Sequence, residues 1–460
     1  MEAESHPVRC GRPRRLCALG AAFVIGCAVL APARAGDELA QYVARPDDSY
    51  AFHSLRSGRL RGAEYLEAIV TSQTWRGIAW KHELFMVKPE RLAAPAARAL
   101  LFIDGGSWDP GDDRVGDRPV PREAAIFVRL AEALRAPVAI VRQVPFEPLF
   151  EGRREDALIA YTFEQYLDTG DADWPLLLPM VKAAVRAMDT VQQLGRERWG
   201  LAIERFTVTG ASKRGWTSWL TAAIDPRVAS VAPMVIDMLN FRAQIALQRQ
   251  AFGALSEQIQ DYEQIHLPER IDSPIGRELV SMVDPYSYRD KLTQPKLVLL
   301  GTNDPYWPLE ALNAYWSGLP QEKRVLYLPN QTHNLRDVDR LIGSIAALHR
   351  YSERGTPLPA LSEAFARRKD RLELTVRSDR TPERILTWSA SSPTRDFRRA
   401  HWSAHDCRRS GDVYLCESRA SADAYTAVYA EAVFQDRNEP RFSLSTTVHI
   451  SGHGEADSGQ

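Results

Sequence analysis

Cysteine is scarce and unevenly spread: of five, Cys10, Cys17 and Cys27 fall in the first 35 residues, and only Cys407 and Cys416 follow. With so few thiolates, histidines that show no paired ligand spacing, and neither a His-Glu-x-x-His helix nor a calcium loop, the sequence gives no reason to expect a metal, and no cofactor is expected. Surplus charge is lacking too. Lys and Arg number 58 against 59 Asp and Glu, a formal net charge of −1, which argues against a nucleic-acid partner. No internal repeat has the period of a solenoid or propeller. What remains is the composition of an ordinary globular chain, 45% hydrophobic and 25% charged. At 460 residues it exceeds the roughly 250–300 at which single cores stop growing, so two domains are expected.

The longest apolar run, Leu16 to Leu30, comes early. Arg9, Arg12, Arg14 and Arg15 precede it, and Ala33-Arg34-Ala35 follows. It is short, contains Gly20 and Gly26 and ends on a small-x-small site, features of a secretory signal peptide over residues 1–35 and not of a spanning helix of about 20 apolar residues. Cleavage after Ala35 would leave Gly36 or Asp37 as the mature start, with no stable membrane insertion, in the periplasm or outside the cell. Arg14-Arg15 leaves a twin-arginine route open, and Val24-Ile25-Gly26-Cys27 leaves open a lipoprotein box with lipid on Cys27. Five Arg and two Glu lie in this leader, so the rest of the chain is mildly acidic. In an exported protein, two remaining cysteines nine apart suggest one disulfide, Cys407–Cys416.

Asp37 to Thr71 reads as a helical, polar opening segment, and Ser72 to Val87 as paired strands. Then short continuous apolar runs alternate with helical stretches: Ala99 to Ile103, Ala136 to Val141, Phe206 to Thr209, Val228 to Val235, Leu297 to Leu300 and Val325 to Leu328. That rhythm predicts an α/β domain over 37–360 around a parallel sheet covered on both faces. Residues 237–290 interrupt it with a helical, aromatic and Gln-rich insertion, either a cap over the site or padding on the sheet. Helix Ile342 to Tyr351 closes the domain, and Pro357 and Pro359 mark a linker. Beyond it Leu372, Leu374 and Val376 alternate with polar residues, as do Tyr425, Ala427 and Tyr429, predicting a small C-terminal antiparallel sandwich over 366–455.

The chemistry centres on Arg205-Phe-Thr-Val-Thr-Gly-Ala-Ser-Lys-Arg-Gly-Trp216, a β-branched strand, a Gly-x-Ser-x-x-Gly turn and a helix. This is the setting of a nucleophile elbow, in which a strained turn lifts the Ser212 hydroxyl above the strand ends. The usual second glycine is displaced by one, with Arg214 in its place and Gly215 after it. A lone Gly-x-Ser is more often structural than catalytic, so its partners must carry the case. They follow in the α/β-hydrolase order: Asp304 after the strand Leu297-Val-Leu-Leu, and His333 after Val325-Leu-Tyr-Leu. Strand-end loops of one sheet edge converge on a single cleft, where His333 would take the serine proton and Asp304 would hold its ring. Oxyanion donors would come from the Lys213 amide at a helix start and from Gly105 and Gly106 after the strand ending at Ile103. The Lys213 side chain is either solvated, the commoner fate of lysine, or a cationic oxyanion stabiliser. Glu147, Glu151, Glu155, Asp156, Asp171, Asp173 and Trp174 form an acidic neighbourhood: charge at helix starts, or, through Glu155, Asp156, Asp173 and Trp174, a site for a cationic substrate or free amine.

Thr209-Gly-Ala-Ser-Lys-Arg-Gly-Trp-Thr-Ser-Trp219, Ala222-Ala-Ile-Asp-Pro-Arg-Val, Pro233-Met-Val-Ile-Asp-Met-Leu-Asn240, Glu155-Asp-Ala-Leu-Ile-Ala-Tyr-Thr162 and Trp174-Pro-Leu-Leu-Leu-Pro-Met180 resemble the PhoPQ-activated pathogenicity-related protein family. The resemblance implies an exported α/β-hydrolase-like protein, at times linked to envelope stress and antimicrobial-peptide resistance, with Ser212, Asp304 and His333 at the family's presumed triad positions and no defined substrate. The fold is similar to that of prolyl-oligopeptidase-type peptidases, which slightly favours a peptide over an ester substrate, while the elbow also resembles that of glucuronoyl esterases. A binding or signalling protein on a hydrolase scaffold is the contrasting expectation.

Overall fold

The computed structural model describes residues 37–452 apart from 95–96, 110, 112–119, 121–122, 321, 369 and 422. The expected leader, its cleavage site after Ala35 and Cys27 lie outside the described residues. The opening segment departs from the helical expectation. Only α1 (Asp37–Ala44) is helical, and β1 (Ala51–Leu60) pairs antiparallel with β2 (Ala63–Trp75) and that with β3 (Ile78–Lys88). The polar residues of β1 belong to an edge strand, where only one neighbour is needed; Arg56 reaches across to Glu67 at 2.7 Å instead of along a helix.

The apolar runs form the expected parallel sheet: β4 (Arg98–Ile103), β5 (Val138–Val141), β6 (Arg205–Ala211), β7 (Val228–Met234), β8 (Lys296–Gly301) and β9 (Lys323–Leu328), in the order β5-β4-β6-β7-β8-β9. Successive residues go to opposite faces. Leu101 and Ile103 join a core with α4 (Leu177–Trp199) and α5 (Lys213–Ile224), while Leu100, Leu297 and Leu299 join one with α2 (Ala124–Leu134) and α10 (Val338–Glu353). Burial on both faces is why these strands read as continuous apolar runs. β5 and β6 lie on either side of β4, so the chain reverses direction across the sheet there and opens a crevice at the strand C-termini. α3 (Glu155–Thr169) flanks that crevice. The insertion after β7 folds into α6 (Phe241–Phe252), α7 (Gln260–Gln264), α8 (Leu267–Arg270) and α9 (Pro274–Val283). The architecture is that of an α/β-hydrolase with a helical insertion.

The C-terminal strands are antiparallel, as their alternation predicts. β10 (Leu361–Arg368), β11 (Arg371–Ser378), β14 (Arg408–Ser410) and β15 (Val413–Arg419) make a four-stranded sheet in the order β10-β11-β15-β14. β12 (Arg384–Ser392), β13 (Ser403–Asp406), β16 (Tyr425–Phe434), β17 (Phe442–Ser445) and β18 (His449–Ser451) instead continue the central sheet, joined to it where Ser445 pairs with Val325. Leu372, Leu374 and Val376 share a core with Ile385, Val428 and Ala430, so the two sheets face each other. A disulfide joins Cys407 to Cys416 and closes the short β14–β15 hairpin. No helix among the described residues is long and apolar enough to cross a membrane.

Candidate active site

Ser212 sits between β6 and α5 with φ 56° and ψ −126°, a conformation outside the usual L-residue regions. Its amide donates to Met234 O at the end of β7, which locks the turn against the next strand. The displaced glycine has a packing reason. A Cβ on Gly215 would lie 2.8 Å from Ile236 Cγ2 and 3.0 Å from both Gly210 O and Met234 O, so α5 can approach the strand ends only without one. Arg214, in the position the usual motif gives to glycine, turns away and is buried between the loops after β4 and β5. Its Nε donates to Val144 O at 2.5 Å, and its two Nη atoms donate to Glu155 at 2.8 Å each. Gly105 faces this guanidinium, and a Cβ there would come within 2.5 Å of Nη2.

The loops after β8 and β9 are drawn together by Gly301, where a Cβ would lie 2.5 Å from both Gln331 O and Thr332 O. Asn303 N donates to Gln331 O at 2.9 Å, and Asn330 N to Thr302 Oγ1 at 2.9 Å. In consequence His333 Nδ1 stands 2.8 and 3.0 Å from the two Asp304 oxygens, and Nε2 stands 2.8 Å from Ser212 Oγ. One tautomer fits both contacts: Nδ1–H donates to Asp304, and Nε2 accepts from the serine hydroxyl. Asp304 is buried and accepts a further bond from Tyr306 N at 2.9 Å. Tyr306 stacks on the His333 ring at 4.2 Å between centroids. Ser212, Asp304 and His333, expected to meet from three separate loops, are within hydrogen-bonding distance of one another in sequence.

The other candidates divide. The solvated reading of the Lys213 side chain is not what the structure shows. The residue is buried, and its ammonium lies 2.7 Å from Asp156 and 3.3 Å from Glu155. Burial disfavours its charge, but these carboxylates outweigh that and raise its pKa. Its backbone amide opens α5 directly after Ser212, the position from which a helix N-terminus faces a developing anion. In the opposite loop the Gly105 amide donates to Asp104 Oδ1 at 2.9 Å, while Gly106 adopts φ +106°.

The acidic neighbourhood does not act as one patch. Burial works against the charge of half-buried Glu155, yet Arg214 and Lys213 hold its pKa down at about 2. Burial and the nearby Glu155 raise Glu147, whose Oε2 accepts from Glu155 N at 2.8 Å. Asp156 takes Lys213 at 2.7 Å, Tyr262 Oη at 2.9 Å and Tyr306 Oη at 3.4 Å. Asp173 instead pairs with exposed Arg45 at 2.7 Å, and Trp174 packs on Trp75, Phe150 and Tyr161 with Arg76 over its ring at 3.5 Å. Glu155 and Asp156 are thus neutralised by cations of the chain itself, and Asp173 and Trp174 do not line the cavity at Ser212. A substrate cation finds no unpaired carboxylate among these four.

That cavity, about 90 Å³, opens beside Ser212 and is walled by the insertion through Phe241, Ile245, Tyr262, Leu267 and Ile271, and by Trp216 and Trp307. Of the two readings of residues 237–290, the cap is the one the structure supports. Sequence reasoning missed the roles of Arg214, Tyr262 and Tyr306; the only signal for Arg214 was that it stood where glycine was expected. It also missed Asp237, which is buried with Tyr315 Oη at 2.7 Å and is pushed by that burial to a pKa of about 7. No group of three or more His, Cys, Asp or Glu suited to a metal ion occurs among the described residues.

A family model described as PhoPQ-activated pathogenicity-related protein matches residues 39–398. Autocrine proliferation repressor protein A of Dictyostelium discoideum is 30% identical over 384 residues, covering 78% of this chain and 76% of that protein. Among solved structures, acetyl xylan esterase 1 from a Thermoanaerobacterium species is 16% identical with a TM-score of 0.45, covering 68% of this chain and 94% of that one. An acetyl xylan esterase from a Paenibacillus species is 14% identical with a TM-score of 0.47, covering 69% and 92%.

Proposed function

The chain belongs to the PhoPQ-activated pathogenicity-related protein family, and from that premise we propose that it is an exported serine hydrolase that cleaves an amide or ester through an acyl-serine intermediate. The observation that carries this reading is the continuous pair of hydrogen bonds from Ser212 Oγ through His333 to Asp304, 2.8 Å at each end. Ser212 Oγ attacks the carbonyl carbon as its proton passes to His333 Nε2. The bond to the leaving group then breaks, and the same proton goes to that group. Water hydrolyses the acyl-serine by the reverse exchange, with Asp304 keeping the imidazole in register and stabilising its charged form. The oxyanion is held by the Lys213 amide and, from the facing loop, by Gly106, since the Gly105 amide is engaged by Asp104.

Buried Lys213 adds fixed positive charge beside the nucleophile, balanced by Asp156. A peptide substrate is preferred over an ester, and a carbohydrate ester is the alternative within the same chemistry. Export to the periplasm or the medium rests on the expected leader and is in keeping with the Cys407–Cys416 bridge; envelope stress is the setting that the resemblance to the family implies.

A second reading is favoured by the Dictyostelium relative, whose name describes an autocrine repressor of proliferation. On it, the cap and the C-terminal sheets are recognition surfaces on a hydrolase scaffold. A fluorophosphonate probe separates the two. Catalysis requires one labelled serine in the wild type, none in Ser212→Ala, nearly none in His333→Ala and reduced labelling in Asp304→Asn, whose amide holds the ring in the wrong tautomer. Unchanged labelling of folded Ser212→Ala protein would leave the scaffold reading in front.

A further inference from the structure

We infer that the cavity beneath the cap receives the acyl side of the substrate, and that the group it takes is a large apolar one, aliphatic or aromatic, of about six to eight carbons. This rests on the serine-hydrolase reading of Ser212. The side follows from proton transfer. A leaving group must take its proton from His333 Nε2, so it departs past that ring. The cavity is lined by Ser212 and Lys213 but not by His333, and Tyr306, stacked on the imidazole, forms the wall between them. What enters the cavity is therefore the part that stays bonded to Ser212.

Its chemistry follows from the walls. Trp216, Met238, Phe241, Ile245, Ile271 and Trp307 present aromatic and aliphatic surface. The charged lining residues, Lys213 and Asp156, are already paired with each other. Gln244 spends its amide nitrogen on Leu239 O and Ala311 O, and Gln248 spends its own on Tyr306 O. Gln244 Oε1 and Trp307 Nε1 are buried without a partner among the described residues. One acceptor and one donor are too few for the hydroxyls of a sugar ring, each of which would lose its water on binding. The volume of about 90 Å³ is several times what one water needs, roughly 10–15 Å³, and suits a side chain of six or more heavy atoms.

Each methylene transferred into such a site contributes about 0.8 kcal/mol, or about fourfold in kcat/KM. The test uses p-nitrophenyl acetate, butyrate, hexanoate and octanoate with the purified protein, alongside fluorophosphonate labelling of Ser212. The expected result is a rise of about fourfold per methylene to six or eight carbons and then a plateau, with octanoate favoured over acetate by at least 100-fold. Ile245→Trp, which fills the cavity, should cut that octanoate-to-acetate ratio at least tenfold; the wild-type series decides alone if this variant does not fold. Labelled Ser212 with a flat series, or with acetate or a methyl glucuronate ester preferred, overturns the cavity assignment and leaves the hydrolase standing. Absence of labelling overturns both.

Discussion

Glu155 and Asp237 both lie near Ser212, and they have met opposite fates. Half-buried Glu155 has two cationic neighbours, Arg214 and Lys213, and its pKa is held at about 2 despite the cost of burial. Fully buried Asp237 has the Tyr315 hydroxyl and the Leu312 amide but no cation among the described residues, and burial, with Asp304 adding repulsion, pushes its pKa to about 7. Asp173 marks a third case, an exposed carboxylate paired with exposed Arg45. The lesson is that the partner a carboxylate meets in three dimensions, and the water it loses, decide its charge; the local sequence does not. The charged side of the Ser212 site is therefore fixed by pairing, whereas Asp237, behind Tyr315, holds its proton to about pH 7.

The largest effect should come from breaking the paired side. Arg214→Met leaves Glu155 and Val144 O without their common donor and removes the guanidinium that packs on Gly105, and the expected loss is about 3 kcal/mol in urea unfolding, moderated because half-exposed Glu155 can take up water. A midpoint like that of the wild type would show the pairing to be incidental.

Removing the unpaired charge should act in the opposite direction. Folded Asp237 keeps its proton up to about pH 7, whereas an unfolded aspartate releases it near 3.9. Between those values the folded chain binds the extra proton, so this group's contribution to stability is full below about pH 4 and is lost as the pH rises to 7. Asp237→Asn, which still accepts from Tyr315, should therefore gain about 2 kcal/mol over wild type at pH 8 and nothing at pH 4. Thermal melts at the two pH values check this, and an equal effect at both would refute the burial argument.

Asp156→Asn sharpens the comparison by removing charge while keeping an acceptor for Tyr262 and Tyr306. Lys213 then has Glu155 alone at 3.3 Å, and a loss of about 1.5 kcal/mol is expected, with slower fluorophosphonate labelling because Tyr306 covers His333. The smallest effect belongs to Asp173→Asn, whose exposed pair is worth at most about 0.5 kcal/mol and is screened by salt. A larger change there, or altered labelling, would tie that surface to the site.

Much of this was legible along the chain. The parallel strands announced themselves because residues buried on both faces must be apolar without alternation, and the C-terminal strands because theirs alternate. Ser212, Asp304 and His333 were readable because each follows such a strand in the order one sheet edge requires. β1 was misread because an edge strand is free to be polar, and polarity without period resembles a solvated helix. The burial and pairing of the Lys213 side chain were not legible because nothing within its own segment reveals that α3 carries Asp156 to within 2.7 Å.

The sequence by itself determined the fold class, the residues that meet at the strand ends and the presence of an insertion after β7, because periodicity and strand-end position are local properties. Only the tertiary structure decided which acids are paired, that Asp237 is buried without a cation among the described residues and that the insertion walls a cavity at Ser212. Those depend on distances between residues up to 150 positions apart, such as Tyr306 and Asp156, and on water excluded by packing that no local segment records.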